Sequence, residues 1–222
     1  MSQLKRQSTA WRFYDSLNFY RGFAIIYAVG LVGHLVSATR PLMLWLTPFV
    51  LALSAGIVAV PFFRKRNTRV ILWFGITGTM TFAAEAIGVA SGFPFGSYRY
   101  TDALGPAMFD VPVIIVFNWM VVILGALGAA GMVFKNRVLI VLGASALTVG
   151  FDLVLEPTAI GLDYWRWENN TVPSQNYLAW GGLSLINGIL YMALKCRHSE
   201  SLPAYFFVLM LLYFALLLVG IE

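Results

Sequence analysis

Seven apolar segments, each long enough to cross a lipid bilayer, dominate this sequence. They occupy approximately residues 19–36, 42–63, 70–90, 111–134, 138–155, 177–194 and 202–221. A membrane-spanning helix needs roughly 17–25 mainly apolar residues, and only helices or closed barrels satisfy the backbone hydrogen bonds in lipid. The segments lack the alternation of a barrel strand. The sequence therefore predicts an all-α, polytopic membrane helix bundle that forms a single domain over residues 1–222.

The composition excludes several classes of protein. Charged residues make up only 11% of the chain, whereas a water-soluble domain carries about 25%. The excess of Lys and Arg does not predict nucleic-acid binding, because these residues cluster between the apolar segments. With Cys196 the only cysteine and with two histidines, His34 and His198, neither a disulfide nor a Cys/His metal cluster is available. We expect no metal and no cofactor.

The basic residues also predict the topology. The N-terminal tail and alternate connections hold four, four, two and two Lys or Arg residues, including Lys5, Arg6 and Arg12, whereas the other connections hold one each: Arg40, Arg99 and Arg166. Basic residues concentrate on the cytoplasmic side of membrane proteins. The pattern predicts a cytoplasmic N-terminus and an external C-terminus, in an integral protein of a prokaryotic cytoplasmic (inner) membrane.

The two longest connections, roughly residues 91–110 and 156–176, fall on the predicted outer side and are rich in Gly, Pro and aromatic residues. They contain the strings GFPFGSYRY at residues 92–100 and GLDYWRW at residues 161–167. Aromatic residues also gather at the lipid headgroups of many membrane proteins. The loops are therefore either interfacial caps over a site or part of an aromatic belt.

A weak internal repeat links these loops. Glu85 lies fourteen residues before Arg99, and Asp152 lies fourteen residues before Arg166. Each arginine stands between two aromatic residues. The spacing predicts two parallel copies of a helix–loop–helix unit, residues 70–134 and 138–194, which pair spans three and four with spans five and six. Repeats of this kind often build a site at their interface.

Acidic residues inside apolar spans mark a candidate site, because an ionisable group there is costly and usually functional. Glu85 and Asp152 both lie near the outer ends of their spans. Asp152 and Glu156 are four residues apart and so share one helix face. Pro157 disfavours helix at the residue before it, which predicts that Glu156 lies at the lip of the site and Asp152 one turn deeper. The alternative is that the acids are structural partners of Arg99 and Arg166.

Seven spans alone do not define a function. A retinal protein requires a lysine in its last span, and residues 202–221 contain none. A transporter built from repeats usually has Gly or Pro breaks within its spans, whereas the irregular sequence here lies outside them. This favours an enzyme that acts on a lipid-soluble substrate at the outer rim.

Two ordered motifs lie between residues 85 and 180. The first is GFPFGSYRYT at residues 92–101, followed by Val111, Pro112 and Trp119. The second is DLVLEP at residues 152–157 and YWRW at residues 164–167, followed by Pro173, Asn176 and Trp180. This segment resembles the carotenoid 1,2-hydratase family.

The resemblance implies addition of water, without a cofactor, to the terminal double bond of an acyclic carotenoid end group such as that of lycopene or gamma-carotene. The product is a tertiary alcohol. A carboxyl group shielded from water can remain protonated and donate the proton, a second carboxylate can accept a proton from the attacking water, and aromatic faces can stabilise the cation. The implied partners are the carotenoid, water, membrane lipid and other enzymes of the same pathway.

We assign the proton donor to Asp152 and the water-orienting base to Glu85, with Glu156 and Asp110 as the remaining candidate acids. Arg99 and Arg166 would set which carboxyl is ionised. The expected substrate-binding residues are Phe93, Phe95, Tyr98, Arg99, Tyr100, Trp119, Tyr164, Trp165, Arg166, Trp167, Asn176 and Trp180. Two alternatives remain: a carotenoid cyclase or related prenyl-lipid enzyme that uses the same protonation step, and a lipid or solute carrier with a proton relay.

Overall fold

A computed structural model describes residues 17–196 and 201–221, with side chains described from residue 20 onward. Within these ranges the chain forms seven long helices: α1 (Leu17–Leu35), α2 (Arg40–Arg64), α3 (Thr68–Ser91), α4 (Val113–Val133), α5 (Arg137–Gly161), α6 (Ser174–Ala193) and α7 (Leu202–Gly220). The predicted topology also used Lys5, Arg6, Arg12 and Arg197, which lie outside the described residues together with His198.

The helices have the length and composition of membrane spans. Among the described residues, α2, α3, α4, α5 and α7 are long and apolar enough to cross a bilayer, and the apolar part of α1 is shorter, Tyr20–Leu35. Helix α6 contains the polar residues Asn176, Ser184 and Asn187, which lower its mean hydropathy. These residues are buried within the bundle. The prediction of a helical membrane protein is confirmed. The number of spans and the sides on which the loops lie stay predictions.

Helix α4 forms the centre of the bundle. It contains no charged residue, is buried along most of its length, and packs against α2, α3, α5 and α7. The other helices bury one face and expose large apolar side chains on the opposite face, among them Phe49, Leu153 and Leu212. This arrangement is expected of a bundle whose outer surface contacts lipid rather than water.

One helix boundary differs clearly from the prediction. Helix α5 continues through Pro157 to Gly161, whereas the sequence placed the end of this span at residue 155 and Glu156 at the lip. The prediction was wrong because packing outweighs the local preference of the residue before proline. Thr158 is buried and donates a hydrogen bond across to the Phe214 carbonyl of α7 at 3.2 Å. Glu156 is therefore inside the bundle, with only 3% of its surface exposed.

The two aromatic loops pair with each other, which the sequence did not predict. Strand β1 (Tyr98–Tyr100) lies antiparallel to β4 (Trp165–Trp167), and the register sets Arg99 opposite Arg166. A second short ribbon joins β2 (Ala107–Met108) to β3 (Val111–Pro112), immediately before α4. The β1–β4 ribbon holds four aromatic side chains, those of Tyr98, Tyr100, Trp165 and Trp167, at the end of the bundle.

The predicted topology can be tested by cysteine labelling, although Cys196 itself is a poor reporter. Its side chain is buried, and burial raises the pKa of the thiol to about 11, so labelling would be slow from either side. In a Cys196→Ser background, we expect a cysteine at the exposed loop position Glu168 to react with a membrane-impermeant maleimide in intact cells. A cysteine at the exposed position Lys135 should react only after the membrane is opened. The reverse pattern would overturn the predicted orientation.

Candidate active site

Three carboxyl groups lie in one small internal cavity at the end of the bundle beneath the β1–β4 ribbon. Glu85 comes from the last turns of α3, while Asp152 and Glu156 lie one turn apart on α5. Their exposed fractions are 2%, 1% and 3%. The remaining side chains that line this acid cavity are Phe95, Tyr98, Tyr100, Trp119, Trp165, Trp167, Asn176 and Trp180.

The acid cavity has a volume of about 20 Å³. A space of about 10–15 Å³ with polar walls is sufficient for one water molecule. The cavity can therefore hold a single water in contact with carboxyl groups while its aromatic walls exclude bulk solvent. The sequence predicts that Glu85, Asp152 and Glu156 share one site, and the structure brings them together.

Glu85 is held by two phenol groups from β1. Tyr98 and Tyr100 both donate hydrogen bonds to its Oε2 atom, the Tyr100 bond measuring 2.8 Å. Burial, and then the neighbouring Glu85 carboxylate, raise the pKa of each of these tyrosines well above the ordinary value. Both phenols therefore stay neutral and keep the hydrogens that they donate. The Oε1 atom of Glu85 is left for another donor, such as water.

Glu156 is surrounded by N–H groups. The indoles of Trp165 and Trp167 donate to its Oε2 atom at 2.9 and 2.8 Å, and the Asn176 amide donates to Oε1 at 3.2 Å. None of these three donors can accept a proton from a carboxylic acid. The arrangement therefore matches the carboxylate form of Glu156.

Asp152 has a different environment. Its Oδ2 atom accepts a 2.7 Å hydrogen bond from the same Asn176 amide. Its Oδ1 atom is buried and has no hydrogen-bond partner, the only such side-chain atom found among the described residues. An unpartnered buried carboxylate oxygen is costly, whereas a protonated Oδ1 can give its hydrogen to a molecule in the cavity. The geometry therefore favours Asp152 as the protonated member of the cluster.

Aromatic rings form the rest of the cavity wall. Trp119 of α4 and Trp180 of α6 stack face to face, with centroids 3.5 Å apart and planes 17° apart. Phe95 continues the stack on Trp180 at 5.0 Å. A cation held within about 6 Å of such ring faces is stabilised by their electrons. The cavity thus combines acids, space for one water and electron-rich surfaces.

The two loop arginines do not reach the acids. Arg166 forms a salt bridge with Asp163 at 2.6 Å, and both side chains are more than half exposed. This contact lowers the pKa of Asp163 and raises that of Arg166. Arg99 is exposed on the same outer side of the ribbon, where both arginines line a separate cavity of about 530 Å³. No described contact supports their predicted influence on the carboxyl groups.

Three other predicted site residues also lie outside the acid cavity. Asp110 is exposed in the turn between β2 and β3, in the left-handed conformation with φ of 60°. Phe93 is 73% exposed. Tyr164 is buried, but it lines a different cavity between α1, α2 and α7. Asp110 is therefore poorly placed to act as an acid on a molecule held by the other three carboxyls.

The described residues contain no group of three or more His, Cys, Asp or Glu side chains arranged to hold a metal ion. The three acids are instead occupied by phenol, indole and amide donors. The expectation that the protein works without metal stays a prediction.

The fold and the cavity define an α-helical membrane protein with a buried acid cluster walled by aromatic rings. Residues 46–221 match the carotenoid biosynthesis protein family, and the chain belongs to that family. The matched segment includes every residue that lines the acid cavity.

One curated relative is named as a hydratase. The chain is similar to the bisanhydrobacterioruberin hydratase of Haloarcula japonica, with 32% identity over 111 residues. The match covers 45% of this chain and 37% of that protein, so this chain matches well under half of the relative's length. No solved structure matches the chain.

Proposed function

We propose that the protein is a carotenoid hydratase that adds water to the terminal double bond of an acyclic carotenoid end group. The observation that carries the proposal is the buried Oδ1 atom of Asp152, which has no hydrogen-bond partner and belongs to a residue that lines a cavity with room for one water. Membership of the carotenoid biosynthesis family and the similarity to a named hydratase support it.

The proposed reaction begins with proton transfer. Asp152 gives the hydrogen on Oδ1 to the less substituted carbon of the terminal double bond, and the π electrons of that bond form the new C–H bond. The adjacent carbon becomes a tertiary cation. The aromatic rings of the cavity wall and the negative charge of Glu156 surround this cation and stabilise it.

Water then completes the reaction. Its oxygen bonds to the cationic carbon while Glu85 accepts the released proton on Oε1, the atom that Tyr98 and Tyr100 leave free. The sum is one alkene and one water giving one tertiary alcohol. The proton returns from Glu85 to Asp152 before the next turnover, so no oxidant, reductant or cofactor is consumed.

The aromatic enclosure favours hydration over other fates of the cation. A cavity with room for one water offers a nucleophile without the competing bases of bulk solvent. A cyclase would need to exclude that water and to fold the polyene back on itself. Because the cavity has a volume of only about 20 Å³, the substrate end must displace aromatic side chains to enter it, even in extended form.

Heavy-oxygen water provides the direct test. Purified protein incubated with lycopene or gamma-carotene in H₂¹⁸O should yield a product that is heavier than its substrate by one labelled water, as measured by mass spectrometry. A cyclase would yield an unlabelled isomer of the substrate, and a carrier would yield no product. Either of those results would refute the proposed function.

A further inference from the structure

A second cavity, which we term the apolar cavity, lies between α1, α2 and α7 and has a volume of about 290 Å³. None of the residues that line it is Asp, Glu, Lys or Arg. Its polar side chains, His34, Thr47, Tyr164 and Tyr213, lie within hydrogen-bond distance of one another or of backbone carbonyl oxygens. A molecule in this cavity must therefore be held by apolar contacts, and it must be uncharged and largely hydrocarbon.

The apolar cavity opens on the surface of the bundle that faces lipid. Ile25 and Val29 of α1 belong to its wall and are 62% and 61% exposed. The wall follows α1 from Ile25 to His34, a length of about 14 Å at the rise of an α-helix. Sites for small molecules usually have volumes of about 300–1,000 Å³, so this space suits a segment of an extended chain. Such a chain can enter it directly from the bilayer.

A row of aromatic rings connects the apolar cavity with the acid cavity. Phe214 lines the apolar cavity, and its ring centroid lies 5.9 Å from that of Phe151 on α5. The Phe151 centroid is in turn 6.2 Å from that of Trp119, which lines the acid cavity. Phe151 is fully buried and directly precedes Asp152. At this point, therefore, the Phe151 ring stands between a ring of one cavity and a ring of the other.

The phenylalanine rings on this side can move without breaking hydrogen bonds. The four aromatic side chains of the β1–β4 ribbon donate hydrogen bonds to Glu85 or Glu156, so displacing them would leave buried polar groups unpaired. The side chains of Phe151 and Phe214 contain no polar atom. An end group can therefore approach Asp152 from the apolar cavity by displacing rings that make apolar contacts alone.

A wider groove, of about 700 Å³, lies between α2 and α4. It is lined in part by Asp102, an exposed carboxyl group that does not suit a hydrocarbon. Its large aromatic residues are Trp45, Phe49 and Phe117. Across the residues that the structure describes, none of these three rings contacts a ring that lines the acid cavity. The apolar cavity is therefore better placed to hold a chain whose end must reach the acids.

We propose that the apolar cavity binds the polyene chain of the carotenoid, next to the end that reacts at the acids. The inference rests on the proposed function, because it places the substrate of that reaction. The acid cavity of about 20 Å³ has no room for the chain. A rigid polyene loses little conformational freedom on binding, and it needs no charged partner. A phospholipid, in contrast, would find no charged residue in this cavity for its phosphate group.

Filling the apolar cavity tests the proposal. Gly30 lines it, and a Cβ atom added there would meet atoms of Tyr213 at 3.7 Å, an ordinary contact. In Gly30→Leu, we expect lycopene to bind the purified protein in detergent about 10-fold more weakly, as for lost burial of about two CH₂ groups. Quenching of tryptophan fluorescence by the polyene measures the affinity. Gly22→Leu makes the same change at an exposed position of α1 outside the cavity and should bind lycopene normally.

A second pair of variants fills the cavity from the opposite helix. Val50→Phe enlarges a side chain of α2 that lines the cavity, and it should also weaken lycopene binding. Val32→Phe makes the same change at a position that is 60% exposed and outside the cavity, and it should not. Ala52→Phe narrows the groove between α2 and α4 and should bind lycopene normally. Dioleoylphosphatidylcholine, added as a competitor, should displace little lycopene.

Unchanged lycopene affinity in both Gly30→Leu and Val50→Phe would overturn the proposal. A loss confined to Ala52→Phe would place the polyene in the other groove, and displacement by the phospholipid as effective as that by free lycopene would make the cavity a lipid site. Hydration is measured on the same preparations, where Gly30→Leu should raise the KM for lycopene more than it lowers kcat. Hydration that neither cavity-filling variant alters contradicts only this inference, whereas cavity-dependent lycopene binding without hydration contradicts only the proposed function.

Discussion

Replacement of Asp152 by Asn should reduce carotenoid hydration by about 10²–10⁴-fold, the usual contribution of a general acid. Asparagine keeps the size of the side chain, and its carbonyl oxygen can still accept the bond that Asn176 donates at 2.7 Å. Its amide cannot protonate an alkene. The loss should therefore appear in the rate of product formation rather than in the amount of folded protein or in polyene binding.

Asp102→Asn is a matched control, because it makes the same chemical change outside the acid cavity. Asp102 is exposed at the start of a short 3-10 turn (Asp102–Leu104) and does not line the cavity. Asp102→Asn should hydrate at close to the normal rate. Near-normal turnover in Asp152→Asn together with a collapse in Glu156→Gln would show that Glu156, one turn further along α5, donates the proton.

The sequence predicted the helices well because their signal is large and local. Each span needs only a long apolar run, and six of the seven observed helices end within a few residues of the predicted boundaries. The exception, α5, continues past Pro157 because buried contacts outweigh a local backbone preference. Local preferences cannot report such contacts, so this boundary could not be read from the sequence.

The acids were also predictable, because a carboxyl group inside an apolar span stands out. Their partners were not. The matched spacing of Glu85 and Asp152 to the loop aromatics suggests equivalent roles, and Tyr98 and Tyr100 do bind Glu85. The corresponding Trp165 and Trp167, however, bind Glu156 instead of Asp152. Spacing along the chain does not determine which of two acids, one helical turn apart, a loop side chain reaches.

The arginines illustrate the same limit. Arg99 and Arg166 alternate with aromatic residues in short strands, and successive side chains of a strand point to opposite faces. Because the aromatics turn inward to the acids, the arginines must turn outward. The alternation YRY and WRW contains this information, but it can be used only once the two segments are known to be strands. The internal repeat itself stays a prediction. Trp119 follows a Val-Pro pair at residues 111–112 by the same spacing at which Trp180 follows the pair at residues 172–173, and these two indoles stack on each other.

Replacement of Glu85 by Gln should cause a loss of hydration of similar size, about 10²–10⁴-fold, but at a different step. Asp152 remains able to protonate the alkene, whereas no base accepts the proton of the attacking water. The tertiary cation then returns its proton to the carboxylate of Asp152 and reverts to an alkene. In D₂O, Asp152 carries deuterium, so each abortive protonation can leave deuterium in the recovered substrate.

Mass spectrometry of unreacted carotenoid therefore separates the two roles. Glu85→Gln should incorporate deuterium from D₂O while forming little alcohol, and Asp152→Asn should form little of either product. The phenols of Tyr98 and Tyr100 bind Oε2 of Glu85, which the carbonyl oxygen of glutamine can replace, so the fold should survive the change. The residue that protonates the alkene is the one whose loss stops deuterium incorporation. If the substrate recovered from Glu85→Gln lacked deuterium and that recovered from Asp152→Asn contained it, Glu85 would be the donor and Asp152 the base.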